Sequence, residues 1–552
     1  MFKKIITQPI IFIIIFAFLL RIASLNYGLP MWLYNDEQPF VLATLKMMQL
    51  KTLLPVLHQE AFTPFFYYPP YINYLYLPFF VLTTGISLIG FPGTLSDFQT
   101  QIASDPSVFF ITGRLIVILI SLTSIYLVYK TTEFLTKEKK SALIAAFLTA
   151  TSVVHLTLSI TGKHWVPIFF FFTLALFCLS HPQWSLKKRY LLASIVTGVG
   201  TGVSTIVILF SFYMALWFWL HENKKVKELF TQWTLYKSAI IIAGLSIVPI
   251  ILYPASLGFV PDTTLKDSKT LIGAFSSVFI FPKELLFIEP VIMLLFFTGL
   301  YFAIRKKEKF FLSSVIFITF YSVIFYFFFR FEQRFLLPII LFLIIGASFG
   351  IKELRNILPK KVWSASIYAL ILITVIISAR LSFLGFVNDS RVHTKNWLIE
   401  NGAQNEKVIV YANLMRLPNK KEGVLEQEKI DPKSLRTVDQ AEKNIRDEIR
   451  REPPFHVLNL YTVRNKDFYK NIKDYTKKEK YKYLIVSKED FLDNKEQFEQ
   501  VRNLIEKSTL VASFGNNESH YSLAKSEIGP TLLPLFKIKE FGPEIEIYKL
   551  EF

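Results

Sequence analysis

The chain has one cysteine, Cys178, and it lies inside an apolar run. A disulfide within the chain is excluded, and Cys178 reads as a small buried apolar side chain. No glycine-rich phosphate loop occurs in the β-rich carboxyl-terminal part, so no nucleotide is assigned to it. No metal-ligand spacing of His, Cys, Asp or Glu is visible. The long apolar runs are nearly free of ionisable residues, unlike the mid-membrane sites of transporters. Acids are scarce relative to bases: 43 Asp+Glu against 61 Lys+Arg give a net charge of +18.

Apolar sequence is abundant. Of 552 residues, 52% are hydrophobic and 16% aromatic. Several runs reach the roughly 18 to 20 residues that cross about 30 Å of hydrocarbon. The fold class is therefore a polytopic α-helical membrane protein. Apolar segments fall near 5–25, 71–90, 109–129, 141–160, 165–181, 190–204, 206–220, 238–257, 287–304, 310–329, 335–350 and 362–386. The first has a basic start but no clear small-residue cleavage site, so it reads as a span and not a signal peptide.

Basic clusters at 137–140, 187–189, 224–227, 305–307 and 352–361 mark the cytoplasmic loops. The positive charge lies almost wholly before residue 388 and serves this orientation; it is not read as a nucleic-acid surface. A full crossing by 71–90 would break the alternation. That segment, rich in Tyr and interrupted by Pro69, Pro70 and Pro78, is expected to lie along or dip into the outer interface. The run 190–220 is too long for one span, and Gly198, Gly200 and Gly202 supply a break. This reading gives about eleven spans in a plasma membrane, with the amino end cytoplasmic.

After Phe386 the composition changes. Short β-rich runs appear at 408–411, 456–460, 483–486, 510–512 and 545–548, with helix-like runs near 390–401, 434–451 and 489–507. Residues 388–552 are expected to form an extracytoplasmic α/β domain with a partly parallel sheet. Residues 1–387 form the transmembrane domain, with 26–108 as its catalytic outer loop. Asn517-Glu518-Ser519 matches the glycan-acceptor pattern, which is short and commonly accidental.

Four outer positions can carry chemistry. Asp36 and Glu37 follow the first apolar run and open a helix of about 37–51. They suit a helix cap. They equally suit a general base at the membrane surface, with the neighbour holding the acceptor or the fold of the loop. Tyr68, in Tyr67-Tyr68-Pro69-Pro70-Tyr71, belongs to a rigid aromatic belt or to a wall for a sugar or prenyl chain. Arg330 and Arg334 flank Glu332 at the outer ends of two spans. They read as snorkelling side chains, a pair with Glu332, or a clamp for a lipid phosphate. Lys163 and His164 occupy a short outer loop, as interfacial anchors or as phosphate ligands. The external loop 258–286 is placed to cover the site, and His155 reads as a satisfied buried histidine.

In this order the motifs resemble the GT-C superfamily of polytopic glycosyltransferases. The resemblance is strongest to the dolichyl-phosphate-mannose–protein mannosyltransferase and lipid A aminoarabinose transferase branch. It rests on Arg21 through Tyr27-Gly28-Leu29-Pro30 to Asp36-Glu37, and on Tyr68-Pro69-Pro70-Tyr71 followed by Gly113-Arg114. It rests also on Arg330 with Arg334-Phe335-Leu336-Leu337-Pro338, and on Asp389-Ser390-Arg391 with Asn396-Trp397-Leu398.

The resemblance covers residues 1–400 and implies inverting transfer of a hexose or pentose from a polyprenyl-phosphate sugar to a hydroxyl of a protein, lipid or glycan. Asp36 would be the base, and Glu37 would support it or the acceptor. Arg330, Arg334 and Lys163 would hold the donor phosphate. Tyr68 stands where the family has His, and Lys163-His164 stands where several members carry an acid. No cofactor is assigned, and no residues support a divalent metal. Two other readings stay open: a lipid or saccharide transporter without covalent chemistry, and a surface protein whose 388–552 region recognises glycans or a partner.

Overall fold

A computed structural model describes residues 9–551 except 35, 64, 66, 67, 255–270, 329–331, 436–438, 440, 441, 444, 446–449, 451, 493, 494, 517–522, 524–527 and 530. Arg330, residues 258–270 of the expected 258–286 loop and the acceptor pattern at 517–519 lie outside the described residues, and the rest of that expected loop falls in the helix Leu271–Ile288.

Among the described residues six helices are long and apolar enough to cross a membrane: Tyr71–Leu88, Ser107–Thr136, Trp233–Leu252, Lys309–Phe327, Gln333–Ile357 and Lys360–Val387. Two bent pairs, Gln38–Leu50 with Pro55–Phe62 and Lys139–Thr151 with Val153–Ser159, raise the number to eight if each is one span. The sequence count of about eleven includes runs below this helix length. Several apolar runs form short helices instead, such as Pro9–Ile22, Trp165–Ser180 and Pro290–Lys306, of 14, 16 and 17 residues. The expected break in 190–220 is present: one helix stops at Gly200 and the next begins at Phe210. Tyr71–Leu88 meets the length and hydropathy of a span. Its ring and hydroxyl contacts with the Ser107–Thr136 helix fall on Phe109, Thr112 and Gly113, in that helix's first two turns.

The helix Leu337–Ile357 is the axis of the bundle and is buried over most of its length. It packs against Pro290–Lys306 through small residues. A Cβ on Gly299 would fall 2.5 Å from the Gly346 carbonyl oxygen and 3.0 Å from the Gly350 nitrogen. This close backbone approach is the small-residue packing that helices use in lipid. It fixes the axial helix, and so the position of Arg334 at its entry.

A second anchor is Arg21, which is fully buried at the end of Pro9–Ile22. Its guanidinium donates to Ser121 Oγ (2.7 Å) and to the carbonyls of Ala17 (2.9 Å) and Ala150 (3.2 Å), and pairs with His155 Nδ1 (2.9 Å). The Ala150 carbonyl lies in the last turn before the bend at Ser152, where carbonyls lose their intrahelical partners. His155 is buried as expected but bonded on one side only, since Nε2 has no partner.

The carboxyl-terminal region holds a five-stranded mixed sheet of β1 (Lys407–Tyr411), β2 (His456–Asn459), β3 (Tyr481–Ser487), β4 (Ser508–Phe514) and β5 (Ile545–Leu550). Their order is β2-β1-β3-β5-β4. β1 pairs in parallel with β2 and β3, and β5 runs antiparallel to β3 and β4. The five strands coincide with the five β-rich runs. The helices Ser390–Glu400 and Lys495–Ile505 also follow the sequence pattern, whereas Lys421–Ile430 was not foreseen. The run 434–451 lies largely outside the described residues.

The sheet region and the helical bundle exchange segments. Val408 and Val410 of β1 share a core with Met31 and Leu33 from the first outer loop. In return Leu535, Ile538 and Phe541 pack into the helical core. The Arg380 side chain secures this return by donating to the Leu535 carbonyl at 2.8 Å. The loop carrying Asp36 and Glu37 is thus clamped between the two regions.

Candidate functional site

All four sequence motifs converge on the loop between Leu25 and Glu37. Tyr27 donates from its hydroxyl to Asp389 Oδ2 at 2.6 Å, and the Gly28 amide donates to Asn388 Oδ1 at 2.8 Å. Asp389 also accepts from the Arg391 amide and guanidinium, which caps the helix Ser390–Glu400. Burial and the nearby Asp389 carboxylate both raise the Tyr27 hydroxyl well above its usual pKa, so it stays a donor. The first and fourth motifs are therefore one bonded unit.

The two acids of the pair have different surroundings. Glu37 is fully buried, and Arg114 meets it with two parallel bonds of 2.7 Å. The Gly162 amide adds a third at 2.7 Å. The second terminal nitrogen of Arg114 donates to the carbonyls of Leu25 (2.7 Å) and Tyr27 (2.9 Å), and its guanidinium lies 4.7 Å from the Tyr34 ring centroid. Such a buried carboxylate is stable only because its charge and lone pairs are satisfied. Glu37 precedes the helix Gln38–Leu50 and makes no side-chain cap bond. Of the roles open to it in the sequence, the geometry matches holding the fold of the loop. Its side chain is wholly removed from solvent, and every bond it makes is to the protein.

Asp36 points elsewhere. It has φ of 60°, in the left-handed region where Asp and Asn are the usual non-glycine residues. Its side chain is 26% exposed and accepts from Arg334 at 3.0 Å. Arg334 also pairs with Glu332, one of the alternatives read from the sequence. The Arg334 guanidinium lies 5.7 Å from the Trp165 ring centroid. A partly exposed carboxylate thus faces a largely buried guanidinium contributed from about 300 residues downstream.

Lys163 and His164 complete this side. The backbone of Gly162 is tied to Glu37, and a Cβ at Gly162 would fall 3.0 Å from Glu37 Oε1. Lys163 follows and is buried. Burial lowers its ammonium to about 8, against the opposing pull of Asp36. His164 is buried, and burial holds its imidazole well below the usual range, so it is neutral at pH 7. Its ring lies 4.4 Å from that of Tyr68 and 4.7 Å from that of Trp165. Tyr68 in turn stacks on Phe40 at 5.4 Å. These aromatic rings form a wall beside the Asp36–Arg334 pair.

Of the residues singled out in the sequence, Asp36, Glu37, Lys163, His164, Tyr68 and Arg334 are brought together. Arg114 was named only within a motif and assigned no role, and Gly162 and Trp165 were not singled out. Arg114 had two signals, its place in the Gly113-Arg114 motif and its standing as a lone cation inside an apolar run; its partner is 77 residues away. Among the described residues no three His, Cys, Asp or Glu side chains cluster to hold a metal ion.

Residues 68–261 match the family model of the dolichyl-phosphate-mannose-protein mannosyltransferases. This bears out the GT-C resemblance. A comparison with curated proteins gives no match. Among solved structures, the chain is similar to ArnT from Cupriavidus metallidurans bound to undecaprenyl phosphate. The identity is 11%, with 97% of each chain covered and a TM-score of 0.46. It is also similar to the Archaeoglobus fulgidus oligosaccharyltransferase solved with zinc and sulfate. There the identity is 12%, with 87% of this chain and 68% of that chain covered and a TM-score of 0.41. The mannosyltransferase match begins at Tyr68 and includes Arg114, Gly162, Lys163 and His164.

Proposed function

We propose that this protein is an integral-membrane glycosyltransferase that moves a sugar from a polyprenyl-phosphate donor to an acceptor hydroxyl with inversion. The observation that carries the reading is the Asp36–Arg334 pair, a base and a phosphate ligand side by side in an accessible site. In the reaction the Asp36 carboxylate takes the proton of the acceptor hydroxyl. The acceptor oxygen bonds to the anomeric carbon from the face opposite the phosphate. The anomeric C–O bond breaks, and its electron pair leaves on the polyprenyl phosphate. Arg334 and the protonated Lys163 neutralise that leaving group.

The resting pair explains how base and clamp avoid interfering. An ion-paired carboxylate is a weak base. A donor phosphate draws the guanidinium toward itself and frees Asp36 when the sugar is present. Glu332 retains Arg334 near the site during the exchange. The aromatic wall of Tyr68, His164 and Trp165 suits the apolar face of a sugar or the first prenyl unit. Arg330 is proposed as a second phosphate ligand from its sequence position.

The topology proposed with this function has about eleven spans, the amino end cytoplasmic, and residues 388–552 outside as a domain following 1–387. The helix Tyr71–Leu88 then lies at the outer interface. The transporter alternative is not favoured, because the mannosyltransferase family model matches and the accessible ionisable pair sits at a loop and a helix entry. The discriminating assay uses detergent-solubilised protein and a radiolabelled polyprenyl-phosphate sugar. Detergent permits transfer and abolishes vectorial transport, so label moved to acceptor supports the enzyme. Label remaining on lipid with every acceptor class tested contradicts it.

A further inference from the structure

At the end of the bundle remote from Asp36 lies a cavity of about 270 Å³. It sits between the helices Lys139–Thr151, Leu337–Ile357 and Lys360–Val387. Arg355 lies 18 residues beyond Leu337, the first residue of the axial helix. At 1.5 Å per residue this is about 27 Å, the thickness of a hydrocarbon layer. The cavity therefore belongs to the opposite membrane surface from the Asp36–Arg334 pair.

Its lining is of two kinds. Lys140, Lys352 and Arg355 supply its cations; Ile144, Ile351 and Trp363 are among its apolar side chains. The charges do not cancel. Glu138 is engaged by Arg355 and by Ser141 Oγ at 2.6 Å. Glu353 is paired with Lys306. The Lys352 ammonium donates to the Thr136 carbonyl at 3.2 Å, a neutral partner. Lys140 makes no ion pair among the described residues. Two uncompensated ammonium groups thus face a cavity with an apolar floor. The flanking helix Lys360–Val387 exposes Tyr368 and Leu372 along its length. Trp363 in the lining is a side chain that membrane–water interfaces favour.

We propose that this cavity binds the headgroup of an anionic glycerophospholipid, with the acyl chains running along the exposed face of Lys360–Val387. A soluble phosphate would match the cations and leave the apolar floor bare. A zwitterionic lipid would cover the floor and leave the two ammonium groups unanswered. Basic pockets between spanning helices recognise anionic headgroups by this combination. The site is independent of the transfer reaction and stands or falls without it.

The test is native mass spectrometry of the full chain in detergent with equimolar phosphatidylglycerol and phosphatidylcholine. Wild-type protein is expected to retain phosphatidylglycerol by about tenfold or more. K140Q/K352Q is expected to reduce that preference to about twofold or less, with an unchanged melting temperature. Millimolar inorganic phosphate is expected to leave it intact. Equal retention of the two lipids by wild type overturns the proposal, as does an undiminished preference in the double variant. Displacement by inorganic phosphate overturns it in favour of a soluble anion. Should the double variant fold poorly, a photoactivatable phosphatidylglycerol decides on wild type alone. Crosslinks must fall on the peptides around 140–144, 351–355 or 363–367, and crosslinks confined elsewhere overturn it.

Discussion

Arg114 grips Glu37 in a fork of two 2.7 Å bonds, with both side chains wholly removed from solvent. This pair ties the first outer loop to the Ser107–Thr136 helix, and through the Gly162 amide to the loop that carries Lys163. It sets where Asp36 can point.

Breaking that fork is expected to be costly. Removing one partner strands a buried charge, which typically destabilises by about 3–5 kcal/mol. Arg114→Ala should therefore lower the thermal unfolding temperature in detergent sharply and yield less folded protein. Arg114→Met combined with Glu37→Gln removes both charges and should recover part of that loss. A double variant less stable than the single one would contradict a closed ion pair.

Gly162→Ala tests the positioning of the lysine loop. The added methyl must displace Glu37 or the loop, because it arrives 3.0 Å from a carboxylate oxygen. Transfer activity should fall at least tenfold while the protein still folds. Wild-type kcat and KM in this variant would show that the loop position does not matter.

The sequence announced much of this site, but not how its parts are joined. The motif around Asp36, the Lys163 loop and the entry to the axial helix at Arg334 were legible because charge at the end of an apolar run is conspicuous. The five strands were legible because short β-branched runs stand out against a Lys- and Glu-rich background. The division of labour between Asp36 and Glu37 was not. It depends on Arg114, 77 residues from its partner, and on a glycine amide 125 residues away. No local pattern encodes a contact of that span. The ends of the helices were not legible either, because hydropathy marks apolar runs without marking where helices begin and end.

Arg334 offers a test of phosphate geometry. Arg334→Lys keeps the charge and loses the planar fork. It should raise the donor KM several-fold with a modest fall in kcat. Arg334→Ala should lose at least a hundredfold in kcat/KM. Equal effects of the two variants would mean that only charge matters at this position.

Lys163 predicts a pH dependence. Its folded-state pKa is lowered to about 8, so the ammonium is present below that value and lost above it. In the proposed reaction a protonated Lys163 aids binding of the anionic donor. Donor KM should therefore rise as pH increases through about 8, and Lys163→Gln should remove this inflection while raising KM at pH 7. A wild-type profile that stays flat from pH 7 to 9 would remove Lys163 from the phosphate site.

The central claim is that Asp36 is the base. Asparagine is the appropriate replacement because it tolerates the left-handed backbone at this position and keeps the shape of the side chain. Transfer from a radiolabelled polyprenyl-phosphate sugar, measured on purified wild type and Asp36→Asn at equal folded concentration, is the direct measurement. The account predicts that the variant inserts and folds normally and loses transfer at least a thousandfold. Transfer by Asp36→Asn at the wild-type rate would contradict it.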